Sequence, residues 1–221
     1  MSADERLLCV VGPTASGKSA LAMRLALELG GEILSADSMQ IYRGFDIGTG
    51  KPTAAEQARV PHHFVDVAEP FEAWDAAQWA GLASARIAEI RGRGRLPIVC
   101  GGTFLWVRAL VWGLADAPRA DEALRARHRA IAEADGRAAL HARLAEVDPV
   151  SAARLAANDL VRVSRALEVF ELTGKPMSQV QAEHGFREQR WPGSFEAFAP
   201  VGHLEGRALA VGEAVENGRF A

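Results

Sequence analysis

Eight residues constrain this chain more than any others: Gly12, Pro13, Thr14, Ala15, Ser16, Gly17, Lys18 and Ser19 satisfy the pattern G-x-x-x-x-G-K-S/T. Their setting gives the pattern weight. Leu7 to Val11 ahead of it is a short continuous apolar run, the signature of a strand buried on both faces of a parallel sheet. Lys18 to Leu29 behind it carries helical spacing and ends at Gly30-Gly31, a pair suited to a helix C-cap. Gly12 and Gly17 let backbone N–H groups turn inward around an anion, and the positive end of the helix dipole points at the same place. Lys18 adds a point charge for phosphates, and the Ser19 hydroxyl is placed to help hold Mg²⁺. The loop binds a polyphosphate, of a nucleotide or of another donor, and does not say which.

The rest of the chain continues in the same style. Glu32 to Ala36 reads as a second strand with Asp37 at its carboxyl end. Ser38 to Pro61 is rich in Gly, Thr and Pro without clear period and reads as a long functional loop with no packed element. His63 to Val67 suits a short strand, Trp74 to Ile90 a helix, Leu96 to Cys100 another buried strand, and a helix runs on to about Trp112. This rhythm specifies an α/β fold, a P-loop NTPase-like parallel sheet flanked by helices with right-handed crossovers. After Pro118 the period turns helical throughout. Segments at Asp121 to Ala134, Arg137 to Ala145, Pro149 to Ala156 and Leu160 to Thr173 follow one another with short joints. The division expected is an α/β core over 1–117, a helical insertion over 118–158, helices returning to the core over 159–190, and an atypical tail over 191–221.

Composition excludes several classes. At 221 residues, with 49% hydrophobic and 24% charged residues, the chain is a folding globular sequence. Its apolar runs fall well short of the roughly 20 residues that span a bilayer. Its N-terminus is acidic where a signal peptide would be basic, and Cys9 and Cys100 sit inside predicted strands. A reduced cytoplasmic protein is expected. A net charge of −3 rules out coating nucleic acid through bulk positive charge, so any such contact is local. Lysine occurs only at 18, 51 and 175 in a chain rich in arginine, which hints that chemistry or geometry demands lysine there.

One absence narrows the chemistry. The strand from Leu96 ends in Gly101-Gly102-Thr103 and not in the aspartate that P-loop hydrolases place there to support Mg²⁺. The nearest carboxylate is Asp37, and carboxyl ends of parallel strands are where such sheets place ligands. On its own, Asp37 reads equally well as a turn or cap residue. His62-His63 lacks a partner set for metal and reads as structural, Trp74, Trp79, Trp106 and Trp112 as core packing, and Arg91 to Arg95 as an exposed turn.

The stretch Asp37-Ser-Met-Gln-Ile-Tyr-Arg-Gly-Phe-Asp-Ile-Gly-Thr-Gly-Lys-Pro-Thr53 strongly resembles the second signature of the tRNA dimethylallyltransferase family, at the family's own distance from Gly-Pro-Thr-Ala-Ser-Gly-Lys-Ser. Pro61-His-His63-Phe-Val-Asp66, Pro97-Ile-Val-Cys-Gly-Gly-Thr103, Arg162-Val-Ser-Arg165-Ala-Leu-Glu168 and Thr173-Gly-Lys-Pro match in the same order, over residues 6 to 190. The resemblance implies transfer of a dimethylallyl group from dimethylallyl diphosphate to the N6 amine of the adenosine beside the anticodon. It implies Asp37 as general base, with Thr103 and Arg165 also catalytic. Asp37, Ser38, Met39, Gln40, Thr103, Arg125, Arg162 and Arg165 would contact tRNA, residues 12 to 19 the diphosphate, and Ser19 a Mg²⁺ ion. Arg162 and Arg165 would face the diphosphate as well, and Val161 stands where the family usually has Gln.

Such a family makes chemical sense of these residue types. An exocyclic amine is a weak nucleophile, so a diphosphate leaving group must be stabilised as charge develops, and a base must take the amine proton. Reading a base in an anticodon loop also requires extruding it from its stack, and arginines at 125, 127, 129 and 137 are candidates for RNA phosphates. Beyond Trp191 the familiar pattern is lost, which implies a C-terminally truncated or altered member with an open sheet edge, a weakened fold and little tRNA modification. A monomer is expected. Two other readings stay open: a P-loop nucleoside or small-molecule kinase, and a non-catalytic tRNA-binding remnant.

Overall fold

The structure is a computed structural model that describes residues 7–185 and 190–191 together with the backbone of 195–198. It divides into two compact units, residues 1–113 with 188–221, and residues 114–187.

The first unit is built on five parallel strands, β1 (Leu8–Val11), β2 (Gly31–Ser35), β3 (His62–His63), β4 (Leu96–Gly101) and β5 (Phe195–Phe198), in the order β3-β2-β4-β1-β5. β1 and β4 run in register from Leu8 opposite Ile98 to Val11 opposite Gly101, and β2 lies on the far side of β4 with Ser35 opposite Cys100. The carboxyl ends of the three central strands therefore finish side by side. Helix α1 (Lys18–Leu29) follows β1 through the phosphate-loop sequence and buries Leu21, Ala22 and Leu25 against Leu8, Val10, Ile33 and Ile98. Each of these leucine, valine and isoleucine side chains taken from water contributes about 1.5–3 kcal/mol, which is what holds the loop's two flanks together.

Helix α2 (Ala54–Arg59) lies inside the stretch expected to have no packed element. Its start is a capping box in which Thr53 accepts from the Glu56 N–H and Glu56 accepts from the Thr53 N–H, so a Thr-x-x-Glu signal overrode the Gly and Pro content around it. Helix α3 (Ala76–Gly92) and helix α4 (Phe104–Trp112) follow. Trp79 of α3 is fully buried, stacks on Trp106 of α4 at 5.3 Å and donates its indole N–H to the Ser35 carbonyl. Core packing is what these two tryptophans do.

The second unit is helical: α5 (Glu122–Ala134), α6 (Arg137–Val147), α7 (Pro149–Arg154), α8 (Leu160–Thr173) and α9 (Met177–His184). Leu140 and Leu144 of α6 pack with Ala152 of α7 and with Val163, Ala166 and Leu167 of α8. Asp148 caps α7 from a buried position, accepting from the backbone and hydroxyl of both Ser151 and Ser178, which ties α9 to α7. The expected boundaries differ from these units. Helix α8 shares the apolar seam of α6 and so groups with the helical unit and not with the core. The expected tail begins with β5, which pairs with β1 from Leu8 opposite Phe195 to Val11 opposite Phe198. Residues 199–221 of that tail lie outside the described residues.

Candidate active site

Phosphate-loop geometry follows from two backbone conformations. Gly17, the residue ahead of α1, is left-handed at φ 81°, and Ala15 is left-handed at φ 63°. These turns wrap the loop over the start of α1, whose first N–H groups receive no side-chain cap and whose first turn carries no acidic residue. A 12-residue helix presenting open donors with no competing carboxylate is suited to an anion. Ser16 Oγ is buried without a hydrogen-bond partner among the described residues, a further polar atom at the loop that a ligand oxygen can satisfy. Lys18 Nζ rests on the Pro13 carbonyl at 3.2 Å.

Asp37 is brought to this loop by the end of β2. Its Oδ1 accepts from the Met39 N–H at 2.9 Å and the Gln40 N–H at 3.4 Å, while Oδ2 has no hydrogen-bond partner among the described residues. One carboxylate oxygen thus fixes the turn and the other is available. Thr103 joins it from β4. The Ser38 N–H donates to Thr103 Oγ1 at 2.9 Å, and Thr103 Oγ1 lies 3.3 Å from the Ser38 hydroxyl. This crossing depends on Gly101, where a Cβ would sit 2.1 Å from the Ala36 carbonyl oxygen. With hydrogen there instead, the Ala36 N–H reaches the Cys100 carbonyl at 2.8 Å and the Thr103 N–H reaches the Ala36 carbonyl at 3.0 Å.

Two cavities open at the strand ends. A small one of about 110 Å³ is lined by Lys18, Ser19, Asp37, Gln40, Lys51, His62 and Cys100, among others. A wider cleft of about 820 Å³ is lined by Pro13, Thr14, Asp37, Met39, Phe45, Ile47 and Thr103, among others. Asp37 borders both. Cys100 is an inert part of this wall, because burial pushes its thiol up to about 12.

In the helical unit, Glu168 is fully buried and gathers the arginines. Arg125 donates to both of its oxygens at 3.1 and 3.3 Å, Arg165 pairs with Oε2, and the Asp121 N–H donates to Oε1 at 2.6 Å. Burial alone raises the Glu168 carboxyl, but the hydrogen bonds from Arg165, the Asp121 N–H and Arg125 outweigh it and hold it below its ordinary 4.5. Arg165 also donates to the Pro118 carbonyl at 2.6 Å. Arg162 stays largely exposed beside Asp159 at 3.5 Å, next to exposed Val161. Of the other helical arginines, Arg127 pairs with Glu171, Arg129 with Glu122, and Arg137 donates to the Asn158 carbonyl.

The residues expected in the first unit are therefore brought together, and Arg125 and Arg165 meet on one carboxylate of the second. Sequence reading missed Glu168 as that anchor, and it missed Lys51 and His62 as cavity residues. The signals for Lys51 were the scarcity of lysine and its place in the stretch from Asp37 to Thr53. His63 bonds Glu32 at 2.7 Å and His62 bonds the Val60 carbonyl at 2.8 Å, consistent with a structural pair, and Arg93 of the expected turn reaches Glu32 at 2.8 Å.

Comparison with known proteins places these features. The family model described as IPP transferase matches residues 40–205, and one described as Isopentenyl transferase matches residues 5–69. The match runs past Trp191, so the familiar pattern does not stop where the sequence reading set its end. A tRNA dimethylallyltransferase from Sorangium cellulosum is 68% identical over 188 residues, 85% of this chain and 60% of that protein. The solved full-length tRNA isopentenylpyrophosphate transferase from Bacillus halodurans is similar with a TM-score of 0.58 at 28% identity, covering 96% of each chain. A eukaryotic dimethylallyltransferase, solved acting on tRNA, is similar with a TM-score of 0.67 at 25% identity, covering 98% of this chain and 58% of that one. The chain spans 60–65% of the length of the first curated relatives it matches.

Proposed function

The chain belongs to the IPP transferase family, and on that premise we propose that it moves a dimethylallyl group from dimethylallyl diphosphate to the N6 amine of the adenosine 3′-adjacent to the anticodon, in tRNAs reading codons that begin with U. One observation carries the reading: Asp37, with Oδ2 free of partners among the described residues, lines the same cavity as Lys18 and Ser19. An acceptor-only oxygen beside a phosphate cradle suits a reaction in which the cradle grips a leaving group and the carboxylate takes a proton.

In that reaction the amine nitrogen bonds to the allylic carbon as the carbon–oxygen bond to diphosphate breaks. The diphosphate departs with the bonding pair, held by the open N–H groups of α1 and by Lys18, and the amine proton passes to Asp37 Oδ2. Thr103 holds the Ser38 turn that carries Asp37. The Ser19 hydroxyl lines the same cavity as Lys18 and is the oxygen suited to Mg²⁺, which when bound with a diphosphate would neutralise part of its charge. No group of three or more His, Cys, Asp or Glu able to hold a metal occurs among the described residues. Met39 lines the wider cleft and Gln40 the smaller cavity, and with Ser38 of the same turn they are proposed to meet the tRNA. The exposed Arg162 guanidinium suits RNA phosphate, with Arg125 and Arg165 held by Glu168. No helix among the described residues is long and apolar enough to cross a membrane. A cytoplasmic monomer completes the proposal.

The test mixes purified protein with dimethylallyl diphosphate, Mg²⁺ and an unmodified anticodon stem-loop. Dimethylallylated adenosine and free diphosphate in equal amounts are expected. Transfer of the terminal phosphate of ATP to an alcohol acceptor, with no prenylated RNA, would contradict it.

A further inference from the structure

Lys51 is one of three lysines in the chain, and its side chain is only 6% exposed. Its ammonium has three N–H donors, and all three are occupied: the Tyr42 carbonyl at 2.7 Å, Asp46 Oδ1 at 2.9 Å and Asp66 Oδ1 at 2.6 Å. Although Lys51 borders the same cavity as Lys18, it has no donor left for a phosphate. Its position must be explained by what it holds.

What it holds is the wall of the wider cleft. The segment from Tyr42 to Gly50 runs past the cleft with Phe45, Asp46, Ile47 and Thr49 on its lining. Lys51 grips that segment at Tyr42 and Asp46 and fastens it to Asp66, whose backbone is left-handed at φ 55°, with Phe64 left-handed at φ 63° nearby. Two non-glycine residues in that region are a cost that surrounding contacts must over-determine. The same segment is tied to the site by Gln40. Its amide donates to the Thr49 and Gly50 carbonyls at 3.1 and 2.9 Å, its Oε1 accepts from Ser35 Oγ at 2.8 Å, and its own backbone N–H donates to Asp37.

We infer that Lys51 is a positioning residue, which holds the 42–50 segment through Tyr42, Asp46 and Asp66 so that Gln40 keeps the Asp37 turn aimed into the cleft. This rests on the reading of Asp37 as the proton acceptor. A buried ammonium also fits this task better than a guanidinium, because its three acceptors converge from separate directions and a planar fork cannot meet them all. Burial alone would lower the Lys51 pKa, yet the hydrogen bonds and charge of Asp66 and Asp46 outweigh it and hold it raised, so the group stays charged.

Lys51→Met keeps an unbranched side chain reaching as far as Cε and removes the charge and all three donors. Hydrogen exchange on the full chain is expected to show amides of residues 40–50 exchanging about tenfold faster or more, with β1 and β4 unchanged. In the transfer assay kcat is expected to fall about tenfold to a hundredfold, while the Kd for dimethylallyl diphosphate stays within about twofold, the pattern of a misaimed base and an intact cradle. Unchanged exchange at 40–50, or an equal rise in β1 and β4, overturns the inference, the second because it marks a merely structural role. Should Lys51→Met not fold, Asp66→Asn is read by the same criteria. A wild-type chain that transfers nothing to RNA counts against the proposed function, whereas the exchange comparison still judges Lys51.

Discussion

The backbone N–H of Ser38 and the side-chain oxygen of Thr103 lie 2.9 Å apart although 65 positions separate them in sequence. That hydrogen bond joins the ends of β2 and β4 and sets the turn in which Asp37 sits. Replacing Thr103 with Val keeps the side chain's shape but leaves the Ser38 N–H without its acceptor, at a cost of about 1 kcal/mol in stability. The turn should loosen more than the fold. We expect kcat for prenyl transfer to fall about tenfold or more with little change in donor affinity, since the phosphate loop is untouched. Kinetics on the variant beside isothermal titration with dimethylallyl diphosphate would check both halves.

Gly101 makes that contact sterically possible. In Gly101→Ala the new Cβ would lie 2.1 Å from the Ala36 carbonyl oxygen and 2.3 Å from its carbon, both backbone atoms that cannot swing aside. A central strand must shift, and urea denaturation should show a loss of about 3 kcal/mol or more, at the upper end for overpacking. A variant as stable as the wild type would mean that β2 and β4 are not joined in this way.

Glu168 anchors the helical unit, and its removal is separable from the phosphate loop. Glu168→Gln leaves two arginines facing a neutral amide. We expect a loss of about 2–3 kcal/mol, less than for a fully enclosed pair because Arg125 and Arg165 are 37% and 27% exposed. Acidification supplies the signature. The folded-state pKa of Glu168 is depressed below 4.5, so its contribution is fully present above that pH and is lost as pH falls through the folded value. The stability gap between wild type and Glu168→Gln, followed by denaturation at successive pH values, should narrow below about pH 4.5. A gap that widens there would have the wrong sign.

How far the sequence foretold this molecule depends on the range over which each feature is encoded. Helix α1 and the strands β1 and β4 were legible because apolar run, glycine punctuation and helical period sit within a few residues of one another. Helix α2 was missed because six residues give no period to read, though Thr53 and Glu56 announce it. Strand β5 was missed because its four residues have meaning only against β1, whose edge they cover. Asp37, Ser38 and Thr103 were legible as candidates through family resemblance, while their hydrogen-bonded meeting depends on a glycine whose importance lies in what it does not carry. Glu168 and Lys51 were the hardest. A buried carboxylate and a buried ammonium look, in sequence, like any solvated charge, and only their partners from distant segments reveal what they hold.

The central claim is that Asp37 takes the proton from the amine while the phosphate loop holds the departing diphosphate. Single-turnover transfer by Asp37→Asn tests it most directly, because an amide oxygen can still accept from Met39 and Gln40 and so preserve the turn, but cannot accept the proton. The account predicts donor binding within about twofold of wild type and transfer slower by about a hundredfold or more. Transfer at the wild-type rate would contradict it.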